Sequence, residues 1–237
     1  MTTEGAEARR GFGSWKTALA TGLLGAVVGG GAVAYASRES VRDYLLANPE
    51  VLPEAMDRLR DRQAAQVVSA NRSSIETPFA GAWAGAADGD VVLVEFFDYA
   101  CGYCRKSNSD IDRLLSEDPK LKVVWREWPV LGPDSEAAAR ASLAAAQAGR
   151  FKPFYDTLFA AGRPTPEALA KARAAVGLSG DVPAAAADRE LERNFQLARS
   201  LEASGTPTFV VGDQILQGAV GYETLRDAIK EARSKKG

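Results

Sequence analysis

Apolar residues fall into distinct patterns along this chain, and each pattern predicts a different kind of element. VVLVEFF, from Val91 to Phe97, is apolar at both odd and even positions, as a strand is when both of its faces are covered. LKVVWREW, residues 121–128, reads as a second strand bracketed by Pro119 and Pro129. TPTFVVGDQILQG, residues 206–218, predicts two short strands turning at Gly212-Asp213. After CGYC the period changes: Ile111, Leu114 and Leu115 recur at helical spacing, so a helix begins at the cysteines. Further helical stretches occupy residues 133–148, 152–161, 165–177 and 181–205, separated by Gly or Pro, and residues 222–236 form a closing amphipathic helix. Their alanine-rich tracts suit close packing between helices. The pattern implies an α/β fold, a central sheet with helices on both faces.

The N-terminal third follows other rules. Arg9, Arg10 and Lys16 precede an uncharged run, Thr17 to Ser37, closing on Ala34-Tyr35-Ala36. That is the layout of an export signal with small residues at the cleavage site. The run is also long enough to span a bilayer, so residues 1–37 are either a cleaved signal or a retained anchor, and both place the remainder outside the cytoplasm. Residues 38–72 read as helical. Ser40 caps a short helix, Asn48-Pro49 interrupts it, and Pro53 opens a second helix running to about Ala70. Leu52, Met56, Leu59, Gln63 and Val67 line one side of that second helix as a narrow seam beside a charged face. Such a seam packs on the chain's own body or pairs with copies of itself. NRSSIETPFAGAWAGAADGD, residues 71–90, is expected to be a loop leading into the main domain, residues 73–237.

Composition narrows the chemistry. With 237 residues and 46% apolar content the chain can build one sizeable core plus appended helix. Its 29 basic and 31 acidic residues leave a formal net charge of -2, which excludes the basic field that drives nucleic-acid binding. Two cysteines and no histidine cannot assemble the four ligands of a closed zinc site. A disulfide closing so short a loop would constrain little of the unfolded chain. A two-thiolate Cu(I) site stays physically possible, and a redox pair fits an exported Cys-x-x-Cys best.

The strand-to-helix passage assigns roles. A cysteine at a helix N-terminus meets unpaired N–H groups and the positive end of the helix dipole, which favour its thiolate. Cys101 is therefore the expected nucleophile, and Cys104, one turn on, the thiol that resolves a mixed disulfide. Glu95 is the one ionisable residue in VVLVEFF. Burial without a partner raises a carboxyl pKa, and a raised carboxyl suits a proton carrier for Cys104; a surface ion pair at a bulge is the alternative.

EFFDYACGYC together with GTPTFVV resembles the thioredoxin-fold thiol-disulfide oxidoreductases of the DsbA and DsbC kind, over roughly residues 79 to 233. The resemblance implies a thioredoxin-like fold with an inserted helical subdomain at about 134–186, preceded by an N-terminal helical segment. It implies that Pro207 is a cis-proline facing the cysteines, with Thr206 offering its backbone to a substrate strand, and that no organic cofactor is needed. YLLANPEVLPEAMDRLRDRQ adds a likeness to the ScsC-type subgroup, implying a homo-oligomer through residues 53–70 and keeping copper tolerance open.

Gly102-Tyr103 between the cysteines and Thr206 before the proline are more similar to DsbC-like isomerases than to DsbA-like oxidases. The resemblance thus implies a pair less oxidising than DsbA that forms or isomerises disulfides in cysteine-containing exported proteins, reset by a membrane redox partner of the DsbB or DsbD/ScsB type. Gly102 and Tyr103 join Thr206 and Pro207 as substrate-binding candidates. Tyr99, Trp128 and Phe209 are further aromatic candidates, the last two more readily explained as core.

Overall fold

The computed structural model describes residues 41–236, so the apolar run of residues 17–37 and the Ser40 cap lie outside the described residues. The chain divides into two compact units, Met1–Arg58 and Leu59–Gly237. In the first, residues 41–47 are helical, and Asn48 ends that helix by donating from both its backbone N–H and its Nδ2 to the Tyr44 carbonyl, at 2.8 and 2.9 Å. The next helix, α1 (Val51–Glu76), starts two residues before Pro53.

In the second unit, β1 (Trp83–Gly85), β2 (Val91–Phe97), β3 (Leu121–Glu127), β4 (Thr208–Val211) and β5 (Gln214–Gln217) form one mixed sheet in the order β1-β3-β2-β4-β5. β2 and β3 run parallel, with Glu95 opposite Trp125 and Phe97 opposite Glu127. Parallel neighbours need a crossover, and α2 (Gly102–Glu117) supplies it. The other pairings are antiparallel. The β4–β5 turn comes where Gly212-Asp213 predicted it: Gly212 has φ +57, and a Cβ there would lie 2.7 Å from the Ala232 Cβ.

Both faces of β2 are covered, as its unbroken apolar run requires. Leu93, Phe97, Val123 and Phe209 share one core with Ile111 and Leu114 of α2, with Leu225 and Ile229 of α7 (Tyr222–Ser234), and with three helices inserted after β3. These are α3 (Pro133–Gln147), α4 (Phe151–Ala160) and α5 (Pro166–Ala175). Alanines 138, 141, 145 and 146 of α3 are buried in that core; small side chains let the helices approach, as the alanine tracts suggested. The opposite face packs Val94, Phe96, Val124 and Val210 against Val68 and Ile75 of α1 and against Leu197 and Ala198 of α6 (Ala184–Ser200). Each buried valine, leucine, isoleucine or phenylalanine among them contributes about 1.5–3 kcal/mol.

Two expectations for residues 71–90 are corrected. The second helix does not end near Ala70 but runs to Glu76, through a polar stretch with weak helix propensity. Long-range partners hold it. Arg72 bonds Glu76 at 2.8 Å, Asp213 at 2.5 Å and the Gly212 carbonyl at 3.0 Å. Arg126 of β3, 1% exposed, reaches the free carbonyls at the helix end: Nε to Ile75 O at 3.1 Å, Nη2 to the Ser74 and Thr77 carbonyls. A guanidinium at a helix C-terminus satisfies carbonyls that lack intrahelical partners. Its Nη1 bonds Glu190 Oε1 at 3.0 Å and Asn194 Oδ1 at 3.1 Å, both on α6. Burial lowers the Arg126 pKa to about 10, with Glu190 opposing the shift, so it stays charged at neutral pH. The second correction is β1, which lies inside the expected loop. Trp-Ala-Gly is too short to show alternation, and the strand exists because the edge of β3 offers it partners.

Candidate active site

β2 delivers the chain to the site. After Phe97 it turns through Asp98, Tyr99 and Ala100 and enters α2 with Cys101 as the N-cap, at φ -77 and ψ 116. The Cys101 sulfur lies 3.4 Å from the Cys104 backbone N–H and 3.1 Å from the Thr206 carbonyl, to which the neutral thiol donates. The Thr206-Pro207 peptide is cis, so the cysteine pair and this loop face one another as the resemblance implied.

The two sulfurs differ sharply. The Cys101 thiol is pulled down to about 5, first by the hydrogen bond from the Cys104 thiol, against the opposing effect of burial, with help from the Thr206 side-chain hydroxyl and the backbone N–H groups of Cys104 and Tyr103. Cys104 is fully buried and its pKa is pushed far up, by burial first, then by its hydrogen bond to Cys101 and by the Glu95 charge. Both cysteines are free thiols. Glu95 is fully buried near the middle of β2, and burial raises its pKa to about 8 against the opposing pull of the Tyr155 hydroxyl, which hydrogen-bonds it, and of the nearby Trp125 indole. It is no surface ion pair: Tyr155 Oη donates to its Oε2 at 3.2 Å, and its Oε1 has no hydrogen-bond partner.

The remaining candidates separate. Gly102 is exposed in the first turn of α2 with open space around it, and Tyr103 is 68% exposed beside Cys101. Trp128 and Phe209 are core. Tyr99 is not a surface contact, contrary to expectation. It is 1% exposed, stacked edge-on to Phe97, with its hydroxyl bonded to Ser142 Oγ at 2.8 Å. An aromatic group with a reachable hydroxyl partner gains more by burial than by facing water.

Two acids beside the site were not singled out. Asp98, 1% exposed, accepts from Ala100 N at 2.7 Å, Ser135 Oγ at 2.7 Å, Val130 N at 2.8 Å and Leu131 N at 2.9 Å. It thereby fixes Val130 and Leu131, which are exposed and apolar, on a loop beside the cysteine turn. Glu127 at the end of β3 is buried and raised well above the ordinary carboxyl range, by burial first and then by Asp98 and Glu95. An acid ending an apolar strand was the available signal for both. Among the described residues no cluster of three or more histidine, cysteine or acidic groups could hold a metal ion.

Comparison with known proteins bears on this geometry. Residues 92–230, more than half of the chain, match the DSBA-like thioredoxin domain, and residues 38–66 match the copper resistance protein ScsC N-terminal domain. A linker-deletion mutant of Proteus mirabilis ScsC superposes with a TM-score of 0.70 at 28% identity, covering 86% of this chain and 96% of that one. A thioredoxin-like oxidoreductase from Silicibacter pomeroyi DSS-3 gives 0.62 at 36% identity, covering 69% and 98%. A curated relative, the Na(+)/H(+) antiporter NhaA of Herminiimonas arsenicoxydans, is 31% identical over 156 residues, 63% of this chain and 25% of the antiporter. The chain therefore spans about a quarter of the length of the curated relatives it matches, and among the described residues no helix is long and apolar enough to cross a membrane. With a thioredoxin-like fold, an inserted helical block and an ScsC-type N-terminal segment, the chain belongs to the DsbA-like family of thiol-disulfide oxidoreductases.

Proposed function

We propose that the protein forms and isomerises disulfides in exported proteins through Cys101 and Cys104. The observation that carries this reading is the asymmetry of the pair: one sulfur caps a helix start with its pKa pulled down to about 5, the other is fully buried behind it with its pKa pushed up. The Cys101 thiolate attacks a substrate disulfide, forming a mixed disulfide and releasing one substrate thiolate, which takes a proton from water. Either a second substrate thiolate displaces Cys101, which is isomerisation, or Cys104 gives its proton to Glu95 and attacks Cys101, which frees the substrate reduced. Run backwards, the second branch is oxidation: Cys104 leaves as a thiolate and Glu95 returns the proton. The electrons reside in the two sulfurs throughout.

Thr206 and Pro207 border the nucleophile and offer backbone to a substrate segment in an extended conformation, a contact that demands little sequence. Exposed Tyr103, Val130 and Leu131 supply apolar contact around it. The Gly102-Tyr103 pair lacks the positive charge that would stabilise the thiolate further, which supports an isomerase over a strong oxidase. Release of native protein from scrambled disulfide substrates, together with a reduction potential below that of DsbA, tests the direction; a DsbA-like potential with no unscrambling overturns it.

Glu95→Gln tests the proton step. As a base Glu95 must be ionised, so resolution by Cys104 speeds up as pH rises through about 8; in the oxidative direction the protonated form is needed, and the rate falls through the same midpoint. The variant is expected to lose this midpoint and to resolve mixed disulfides about a hundredfold more slowly. Stopped-flow kinetics on a pre-formed mixed disulfide measures it, and an unchanged profile removes Glu95 from the mechanism.

The N-terminal segment is assigned to self-association. Leu52, Met56 and Leu59 are exposed on α1 at spacings of four and three, and residues 38–66 match the ScsC N-terminal domain. Copies joined there hold several thiols near one misfolded substrate. Aspartate at all three positions is expected to reduce the mass in light scattering to that of one chain and to lower unscrambling, with the reactivity of each Cys101 unchanged; an unaltered mass refutes the assignment. Residues 1–37 direct or tether the protein outside the cytoplasm, where a membrane partner of the DsbB or DsbD/ScsB type resets the pair. Capture of Cu(I) by the two sulfurs is the alternative reading, and it too requires Cys104, held neutral by burial, to lose its proton.

A further inference from the structure

Tyr155 belongs to the inserted helix α4, yet its hydroxyl enters the site. It lies 3.2 Å from Glu95 Oε2 and 2.7 Å from Asn108 Oδ1. Asn108 stands one turn beyond Cys104 on α2 and is half-buried. A hydroxyl has a single proton to donate, so it satisfies one of these acceptors at a time. The other oxygen of Glu95 has no partner, and Trp125 Nε1, close enough to favour the carboxylate, is itself outside hydrogen-bond geometry. Among the described residues Tyr155 therefore makes the hydrogen bond on which the carboxyl depends.

We propose that Tyr155 and Asn108 act as a two-position switch on Glu95: the hydroxyl proton points to Asn108 while Glu95 is protonated, and turns to Glu95 when the carboxyl is ionised. In the first position Glu95 donates to the Tyr155 oxygen, and in the second it accepts, so both protonation states are hydrogen-bonded. Asn108 supplies the alternative acceptor without which the first position would leave the hydroxyl unpaired. Tyr155 and Asn108 are positioning residues, acting through Glu95, and the inference rests on the reading of Glu95 as proton carrier. It assigns the inserted helices a part in proton transfer at the cysteines.

Other titratable groups around the carboxyl are Cys101 and Cys104 from α2, Tyr99 from the turn after β2 and Glu127 from β3. Lys152 Nζ lies 5.9 Å from the Tyr155 ring centroid, but is paired with Asp112 at 2.9 Å and Asp156 at 2.6 Å. None of these offers the hydroxyl a third acceptor in hydrogen-bond reach.

The switch makes opposite predictions for its two members. Tyr155→Phe removes the donor to the carboxylate, so the Glu95 midpoint rises by about one pH unit or more. Asn108→Leu removes the competing acceptor, frees the hydroxyl for Glu95 and lowers that midpoint. The midpoint is read directly by NMR titration of the reduced protein labelled with 13C at glutamate carboxyls, and kinetically as the pH profile of mixed-disulfide resolution. Thermal melts establish that both variants fold; Phe keeps the ring contacts of Tyr155, and Asn108 is half-buried, so at least one remains informative. Midpoints that stay put, or move in the same direction in both variants, overturn the switch. If Glu95→Gln leaves the kinetic profile unchanged, the carrier role itself fails, whereas a profile altered by Glu95→Gln with neither midpoint moved removes only the switch.

Discussion

Iodoacetamide added to the reduced protein at pH 6 alkylates Cys101 and leaves Cys104 untouched. With its thiol pulled down to about 5, Cys101 is about 90% thiolate at that pH, against ~0.3% for a free cysteine of pKa about 8.5. Lower basicity reduces intrinsic nucleophilicity, with a Brønsted slope near 0.4–0.5, so about fortyfold of that advantage is lost. The net expectation is alkylation roughly tenfold faster than a free thiol at pH 6, and slower than a free thiol above neutral pH, where the latter also ionises. The rate levels off above pH 6 and falls about tenfold per pH unit below 5. Cys104, fully buried with its pKa pushed up, does not compete. Mass spectrometry of the alkylated peptides checks both statements, and Cys101→Ser is expected to lose all exchange activity. A midpoint near 8.5, or first reaction at Cys104, would remove the basis of the proposed chemistry.

The same shift links to stability with a definite sign. A depressed folded-state pKa contributes stability to the reduced form above the unfolded value, and that contribution is lost as pH falls through about 5. Glu95 acts in the other sense. Its folded pKa of about 8 lies above the unfolded value, so its effect weakens the fold as pH rises from about 4.5 to 8.

The second large effect is on folding. Arg126→Leu is expected to cost about 3–5 kcal/mol, read as a lower urea midpoint, because it strips the partner from buried Glu190 and from the carbonyls ending α1. Adding Glu190→Leu recovers part of the loss by removing the stranded charge. Hydrogen exchange of residues 74–77 accelerates in the single variant. A change below about 1 kcal/mol would show that the grip on α1 is incidental.

What the sequence disclosed follows the range over which each signal acts. The both-faced apolar run of β2, the Gly212-Asp213 turn and the cysteines at a helix start are local patterns, and each is where it was expected. Glu95 stood out because all its strand neighbours are apolar. Glu127 and Asp98 sit at strand ends, where an acid usually meets water, and only the packing of α3 and the following loop buries them. The last turn and a half of α1 depends on a guanidinium some fifty residues away, and β1 depends on the exposed edge of β3; neither cause is written in the segment that it shapes. Tyr99 was misplaced for a related reason, since its partner Ser142 arrives on an inserted helix.

Asp98 gathers four donors from three parts of the chain into one carboxylate. Val130 and Leu131 are thereby anchored through main-chain amides, which every residue type except proline possesses. The side chains at 130 and 131 can accordingly change in size and character while the main chain that carries them stays fixed to Asp98.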